Sequence, residues 1–475
     1  MEELLRGSAT QMARAIRDRE VSPVELVEAH IARAEKVNGE VNALVLPRFE
    51  QALEEAREAE AALDGSGGIG PLHGVPFTAK ESIEVAGMPC TDGSLLLQGQ
   101  VSAEDAVVIR NIRGAGAILL GKTNIPELAI HYDSNNLVYG ATHNPHMHGR
   151  TAGGSSGGEG AAIATGMSPF GVGSDYGGSI RIPCHFCGVS GIRPGRWTVP
   201  YKGHSPSSHT MSVQLASEIG PMARFIEDLE LLLPIFARPD PTSDPDVYGA
   251  SFEPVSAAGL RVASFEEDGI TPVSDECREA VRAAARALVD AGHEVVEERP
   301  PNQAEVRECF LTVALSEIGS VVWPILQPHA DQLSPQLRYM LETKVEGEQL
   351  DLASYVGGLT QRVDLERAVA AWLEENPIAI CPVAPTPAFE IGSTVIDVNG
   401  TPVDEVDLMT LCTYVNLMGL PAAAVPIKRS ADGLPVGVQV IGRRGHEMEV
   451  LAVARQLEEA FGGWMDPEAV GQDVA

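Results

Sequence analysis

Gly74-Val75-Pro76-Phe77-Thr78-Ala79-Lys80 opens the stretch that decides the fold, and Ala106-Val107-Val108-Ile109-Arg110-Asn111-Ile112-Arg113 and Ala117-Ile118-Leu119-Leu120 continue it. The first and third are short apolar runs of strand length; the second carries apolar residues at helical spacing. Strands alternating with helices argue an α/β chain rather than an all-α or all-β one. Upstream, the first 65 residues read as helices. Ser22 is placed as an N-cap, with Pro23 at the first helical position and Glu25 in the first turn. Leu26, Ala29, Ile31, Ala32 and Ala34 supply an apolar stripe, and Glu50 to Leu63 forms a second, Ala/Glu-rich helix. Gly65 to Gly70 is a loop. Downstream, Gly259 to Arg299 reads as strand, turn, helix and strand, with Cys277 to Ala291 amphipathic. Trp197 to Arg238 and Phe310 to Gly358 carry few signals and are expected to form a substrate-facing lid.

The 475 residues, 44% hydrophobic and 21% charged, have the composition of a globular protein. Thirty-four Lys+Arg against 66 Asp+Glu give a formal net charge of −32. Such a surface repels phosphate backbones and anionic membranes, so neither nucleic acid nor membrane is an expected partner, and the charge reads as solubility. Seven scattered cysteines, an odd number, do not make a disulfide framework. Met1-Glu2-Glu3-Leu4-Leu5-Arg6 lacks the basic and apolar regions of a signal peptide, and no run approaches the roughly 18 apolar residues of a spanning helix. A reducing cytoplasm is the expected location.

Between Gly149 and Gly191, 13 of 43 residues are glycine, interrupted by the apolar runs Ala161 to Ala164 and Pro169 to Val172 that a flexible linker would lack. Within it, Gly153-Gly154-Ser155-Ser156-Gly157-Gly158 contains G-x-S-x-G twice. A nucleophile elbow needs a strand immediately before it, and residues 142–150 read as a loop. Gly160-Ala161-Ala162-Ile163-Ala164 starts a helix, so these serines sit at a helix N-terminus suited to an anion or a developing oxyanion. The second constellation is Ser174-Asp175-Tyr176-Gly177-Gly178-Ser179-Ile180-Arg181-Ile182-Pro183. Consecutive glycines before a serine let backbone N–H groups converge on one point. Gly171-Val172-Gly173 resembles a dinucleotide loop, but Tyr176 stands where the third glycine belongs.

A serine nucleophile needs a base. Twelve histidines leave a Ser-His-Asp triad open by count, whereas none of the six lysines has serine three residues before it, which excludes S-x-x-K. Lys80, emerging from a strand, could serve if burial lowers its pKa; alone it reads as a solvated lysine. Cys184-His185-Phe186-Cys187 has C-x-x-C spacing without a redox context, and His143, His146 and His148 read as loop residues rather than metal ligands. No metal is expected.

Taken in order, Pro76 to Glu81, Gly153 to Gly158 and Asp175 to Pro183 resemble the three signature segments of the amidase-signature family. Lys80 to Ser155 spans 75 residues and Ser155 to Ser179 spans 24, as in family members. The likeness extends to Leu5-Arg6-Gly7, Ser22 to Leu26, Gly121-Lys122-Thr123-Asn124, Asn416, Gly419 to Ala422 and Leu434 to Gly442. It implies one α/β/α domain over residues 1–475, a large mixed twisted sheet flanked by helices, with a signature core at about 70–200 and a variable substrate-facing region at about 197–360. It also implies that Ser179 attacks the carbonyl carbon, that Ser155, preceded by a cis peptide, relays the proton, and that Lys80 is the base. The N–H groups of Tyr176, Gly177, Gly178 and Ser179 would form the oxyanion hole. Ser174, Asp175 and Arg181 match supporting positions, Ser156 a structural one, and no cofactor is required.

Departures from the family pattern are Glu81 where aspartate is usual, Tyr176 where a smaller residue is common, and Gly191-Ile192-Arg193-Pro194-Gly195 in place of a Lys-Pro-Thr sequence. The last weakens a tie to glutamyl-tRNA amidotransferase A subunits. The expected activity is hydrolysis of small, fairly apolar amides, extending to aryl amides and carbamates. The alternatives are an amidotransferase subunit working with a partner and a non-catalytic binding descendant. His131, Tyr132 and Tyr176 are expected pocket residues, and a homodimer is common among relatives.

Overall fold

The computed structural model describes all residues except 66–67, 207–209, 243, 245–246, 248–250, 346–350, 468–469 and 471–475. Part of the expected lid lies outside the described residues. An eleven-stranded mixed sheet forms the centre. In chain order its strands are β1 (Leu44–Pro47), β2 (Pro76–Lys80), β3 (Ile118–Thr123), β4 (Phe170–Asp175), β5 (Ser190–Arg193), β6 (Glu218–Ala223), β7 (Arg261–Ser264), β8 (Glu294–Glu297), β9 (Ile378–Pro382), β10 (Ala422–Arg429) and β11 (Pro435–Gly442). Their spatial order is β1-β3-β2-β4-β6-β5-β10-β11-β9-β7-β8. β3, β2 and β4 are mutually parallel, as are β9, β7 and β8; the strands between are antiparallel. The expected α/β/α architecture is therefore present.

Helices cover both faces, so the inner strands are buried throughout, as a sheet packed on two sides requires. Local chemistry explains several starts. Ser22 caps α1 (Pro23–Val41) in a capping box with Glu25, and Pro23 takes the first turn. α2 (Phe49–Ala62) and α3 (Val107–Gly114) follow the sequence expectation. The glycine density has a packing cause in α4 (Gly157–Ala164). A Cβ on Gly158 would sit 2.3 Å from the Asn124 backbone nitrogen, and one on Gly171 would sit 1.8 Å from Glu159 Oε2. Helix and sheet could not approach this closely with side chains there.

Three expectations need correction. Residues 197–238 are not simply a lid, because β6 lies between β4 and β5, and Ile226–Phe236 is a helix packed on the sheet. The strand was hidden because Gly220 and Pro221 are strand-breakers by composition, yet Gly220 is required where a Cβ would meet the Ile192 carbonyl oxygen at 2.2 Å. Residues 142–150 are not plain loop: His143–Asn144 and Met147–Thr151 pair as a separate two-stranded ribbon. The elbow reading still fails, since this ribbon is no part of the central sheet. Finally, the helical run Gln303–Gln332 is long and apolar enough to cross a membrane by length and composition. Val306, Phe310 and Ala314 on this run pack with Leu365, Val369 and Leu373 of the helix Leu352–Glu375.

Candidate active site

The parallel strands β2 and β4 carry Lys80 and Ser174 to the same carboxyl edge of the sheet, with Ala79 opposite Val172. In open α/β sheets that edge is where ligands bind. Lys80 is the last residue of β2 and is wholly buried. Its Nζ lies 2.6 Å from Ser155 Oγ and 2.8 Å from Ser174 Oγ. Ser155 precedes the first turn of α4, and its Gly154–Ser155 peptide is cis. Ser156 does not face Lys80: its hydroxyl receives the Ser174 N–H and donates to the Ser174 carbonyl, tying α4 to β4. Ser179 stands in the turn between β4 and α5 (Arg181–Cys187), and its carbonyl accepts the Ser156 N–H at 3.1 Å.

Burial lowers the Lys80 pKa from 10.5 to about 7, against the opposing pull of Asp175, Asp92 and Glu159. At neutral pH this amine therefore spends much of its time uncharged, as a proton acceptor must. Glu159 accepts hydrogen bonds from Thr78 Oγ1 at 2.7 Å and Thr123 Oγ1 at 2.9 Å, and burial pushes its carboxyl up to about 8. Glu81, directly after the lysine, turns away from it: its carboxylate receives the Thr91 and Asp92 N–H groups at 2.6 and 2.9 Å.

The Tyr176–Ser179 turn is held from beneath by Asp175. Burial alone would raise this carboxyl, but Arg181 and Asn416 outweigh it and hold the group well below the ordinary carboxylate range. Arg181 donates through Nε and Nη2 at 3.0 and 2.9 Å, Asn416 Nδ2 at 2.9 Å, and the Gly178 N–H at 2.8 Å. Arg181 also reaches Gln439 at 2.7 Å, which links the turn to β11. The Gly178 N–H, expected in the oxyanion hole, donates to Asp175 Oδ1. Arg181→Met is expected to destabilise the protein by about 3–5 kcal/mol, because it strands a buried carboxylate. Denaturant unfolding checks this; a loss under ~1 kcal/mol would mean that Asp175 is satisfied without the guanidinium.

Ser179 opens into a cavity of about 120 Å³. Ile130, Tyr132, Phe310, Leu311 and Met409 give it an apolar wall, and Tyr176 packs on Phe310 with ring centroids 5.3 Å apart. His131 and Tyr132 are among the residues that line this cavity. His131 Nδ1 accepts the Asp133 N–H, so Nε2 carries the hydrogen and donates to Glu405. Met409 and Glu405 also line the cavity and carry no signal in the sequence. Of the 310–358 stretch, Phe310, Leu311, Ala314, Leu315, Ile318 and Met340 reach the cavity.

The two remaining motifs lie elsewhere. Cys184 and Cys187 are buried in α5, where burial raises both thiols and makes them poor nucleophiles. His143 and His148 stack at 3.8 Å, while His146 Nε2 lies 2.9 Å from the Cys187 carbonyl. Among the described residues no group of three or more His, Cys, Asp or Glu could hold a metal ion.

A mixed α/β sheet with a buried lysine and two serines at its carboxyl edge, beneath a glycine turn and an apolar cavity, is the framework of a hydrolytic enzyme. The chain belongs to the amidase-signature family: the family's Amidase sequence profile matches residues 25–451. It is 35% identical to fatty-acid amide hydrolase 2-B of Danio rerio, covering 98% of this chain and 92% of that one. Acylamidase of Rhodococcus erythropolis is 32% identical over 97% of this chain and 96% of its own length. A chain solved in an inhibitor-bound protein complex, connected with the origins of an s-triazine catabolic enzyme, superposes with a TM-score of 0.88 at 29% identity, covering 97% of this chain and 100% of that one. The protein is accordingly a hydrolase acting on amides, cleaving carbon–nitrogen bonds other than peptide bonds.

Proposed function

We propose that the protein hydrolyses small, fairly apolar amides, aryl amides and carbamates among them, through an acyl-enzyme on Ser179. The observation that carries this is the buried Lys80 amine 2.6 Å from Ser155 Oγ, on a segment whose next residue, Ser156, donates its N–H to the carbonyl of Ser179, a serine that lines the cavity. Neutral Lys80 accepts the Ser155 proton while Ser155 Oγ takes that of Ser179. The Ser179 oxygen bonds to the carbonyl carbon, and the C=O π pair moves onto oxygen. The amides of Tyr176, Gly177 and Ser179 receive that charge; each such donor contributes roughly 10²–10³-fold in rate. Collapse breaks the C–N bond, and the amine leaves with the proton returned from Lys80 through Ser155. A water then gives up a proton along the same path and attacks the acyl-enzyme, which releases the carboxylic acid and free Ser179. Amines are poor leaving groups unless protonated, so a relay that takes and returns one proton suits amides.

An apolar cavity of about 120 Å³ is the size of one aromatic ring or a short alkyl chain, which favours an apolar acyl or aryl group. Names among the relatives, fatty-acid amide hydrolase and acylamidase, agree with that class. The test is a set of substrates sharing one aniline leaving group: an acyl amide, a carbamate and a urea. The acyl anilide is expected to turn over fastest, with no aniline release by Ser179→Ala. Absence of turnover of all three by the wild type would overturn the reading and turn attention to a partner subunit.

A further inference from the structure

The hydrogen-bond chain from Lys80 does not end at Ser174. Ser174 Oγ stands between Lys80 Nζ and His204 Nε2, 2.8 Å from each. His204 is buried and stacks on Tyr201, with ring centroids 4.8 Å apart and 17° between planes. Its loop is fixed to the segment after β2: the Ser205 N–H donates to the Ser82 carbonyl at 2.8 Å, and Ile83 pairs with His204 in a single β-bridge. Ser205 Oγ donates to Asp92 Oδ2 at 2.5 Å. Ser82 Oγ lies 3.4 Å from Nε2, a longer contact than that of Ser174.

These distances determine which way the hydrogens run. His204 Nδ1 lies 2.6 Å from the Ser205 carbonyl oxygen. A carbonyl only accepts, so Nδ1 carries the hydrogen, and in the neutral form of the ring Nε2 is left as an acceptor. The single hydrogen of the Ser174 hydroxyl then goes to Nε2. Ser174 Oγ consequently meets Lys80 with a lone pair and receives an N–H from Nζ. A neutral amine has two hydrogens and one lone pair; with a hydrogen committed to Ser174, the lone pair is free to face Ser155. The opposite polarity, with Ser174 donating to Nζ, would occupy that lone pair and leave Ser155 nothing to give its proton to.

We infer that His204 is a positioning residue that sets the direction of the Lys80–Ser174–His204 chain and so aims the lysine lone pair at Ser155. The inference rests on the reading of Lys80 as the base.

His204→Phe keeps a ring on Tyr201 and removes the acceptor, whereas His204→Gln offers a carbonyl oxygen in its place. With the acyl anilide, His204→Phe is expected to lower kcat by about 10–100-fold, below the roughly 10²–10⁴-fold of a group that itself transfers the proton, while KM stays within about twofold. His204→Gln should restore most of the loss. In a Ser174→Ala background, where the chain is already cut, adding His204→Phe should change kcat by no more than about twofold. A wild-type kcat in His204→Phe, or losses that multiply in the double variant, would overturn the inference. Nitrogen NMR of the histidine-labelled wild type, with the His204 signal assigned by its absence in His204→Gln, gives a check that does not depend on either variant being active. The Nδ1–H tautomer is expected at pH 8, and the Nε2–H tautomer would sink the idea even if His204→Phe fails to fold. Lys80→Met separates the two layers of argument. Activity retained there removes the base itself; inactivity there with wild-type kcat in His204→Phe removes only the role of His204.

Discussion

Ser179→Ala is expected to lower kcat/KM for the acyl anilide by about 10⁴–10⁶-fold, the scale on which loss of a nucleophile is felt when its partners act as a unit. The proposed mechanism gives Ser155 and Ser179 different work, and their surroundings differ accordingly. Ser155 is 2.6 Å from Lys80 Nζ but does not line the cavity, whereas Ser179 lines it beside Gly177 and Tyr176. On the proposed mechanism a carbonyl bound in that cavity would meet the Ser179 oxygen and the amides of its own turn. A fluorophosphonate should therefore add to Ser179 alone, read as the mass of the intact protein and of the labelled peptide. An adduct on Ser155 would reverse the two roles. The substitution removes one hydroxyl from a turn already held by Asp175, Arg181 and Asn416, so thermal unfolding should barely move. A large fall in stability would make the loss of activity uninformative, and the adduct would then decide.

Much of this arrangement is legible in the sequence wherever the governing physics is local. The Ser22–Glu25 capping box, the β2 and β3 runs and the amphipathic helix that runs Asp275–Asp290 are written in neighbouring residues. The serines and the lysine are found through the order of three motifs, because glycine-rich turns leave a compositional mark. What escapes is set by tertiary geometry. β6 reads as a loop since Gly220 and Pro221 mask it, although the close approach of Ile192 is what demands the glycine. Asn416 is 241 residues from Asp175, yet it supplies one of the bonds that make this carboxylate an anchor. The engagement of the Gly178 N–H depends on that anchor, and no spacing rule announces it. His204 had as its only local mark a histidine in a Gly203-to-Pro206 turn; its meaning comes from Ser174, thirty residues earlier. Met409 and Glu405 meet Phe310 around the cavity from a segment with no shared pattern.

Lys80→Met is expected to reduce kcat/KM by roughly 10⁴-fold at pH 8, the upper end of what a positioned acid–base group supplies. Methionine nearly matches the lysine stem in volume and has no charge to desolvate, so the buried site stays filled and the fold should survive. The wild-type pH profile is the complementary measurement. A lysine that acts as base works only when neutral, and burial has brought its pKa from 10.5 to about 7. Below pH 7 the ammonium form accumulates and has no lone pair for Ser155; above it the amine is free. The rate should therefore rise with pH through about 7 and reach a plateau well before the range of an exposed lysine. The sign of the limb does not by itself identify the base, because a buried carboxylate such as Asp92 or Glu159 in that role would give a limb of the same direction near the same pH. Lys80→Met distinguishes them: if the limb persists with substantial activity, a carboxylate carries the proton, and if activity and limb vanish together, the lysine does. A limb near pH 10 in the wild type would mean that the amine is solvated in the working enzyme, and the buried-base mechanism would fall.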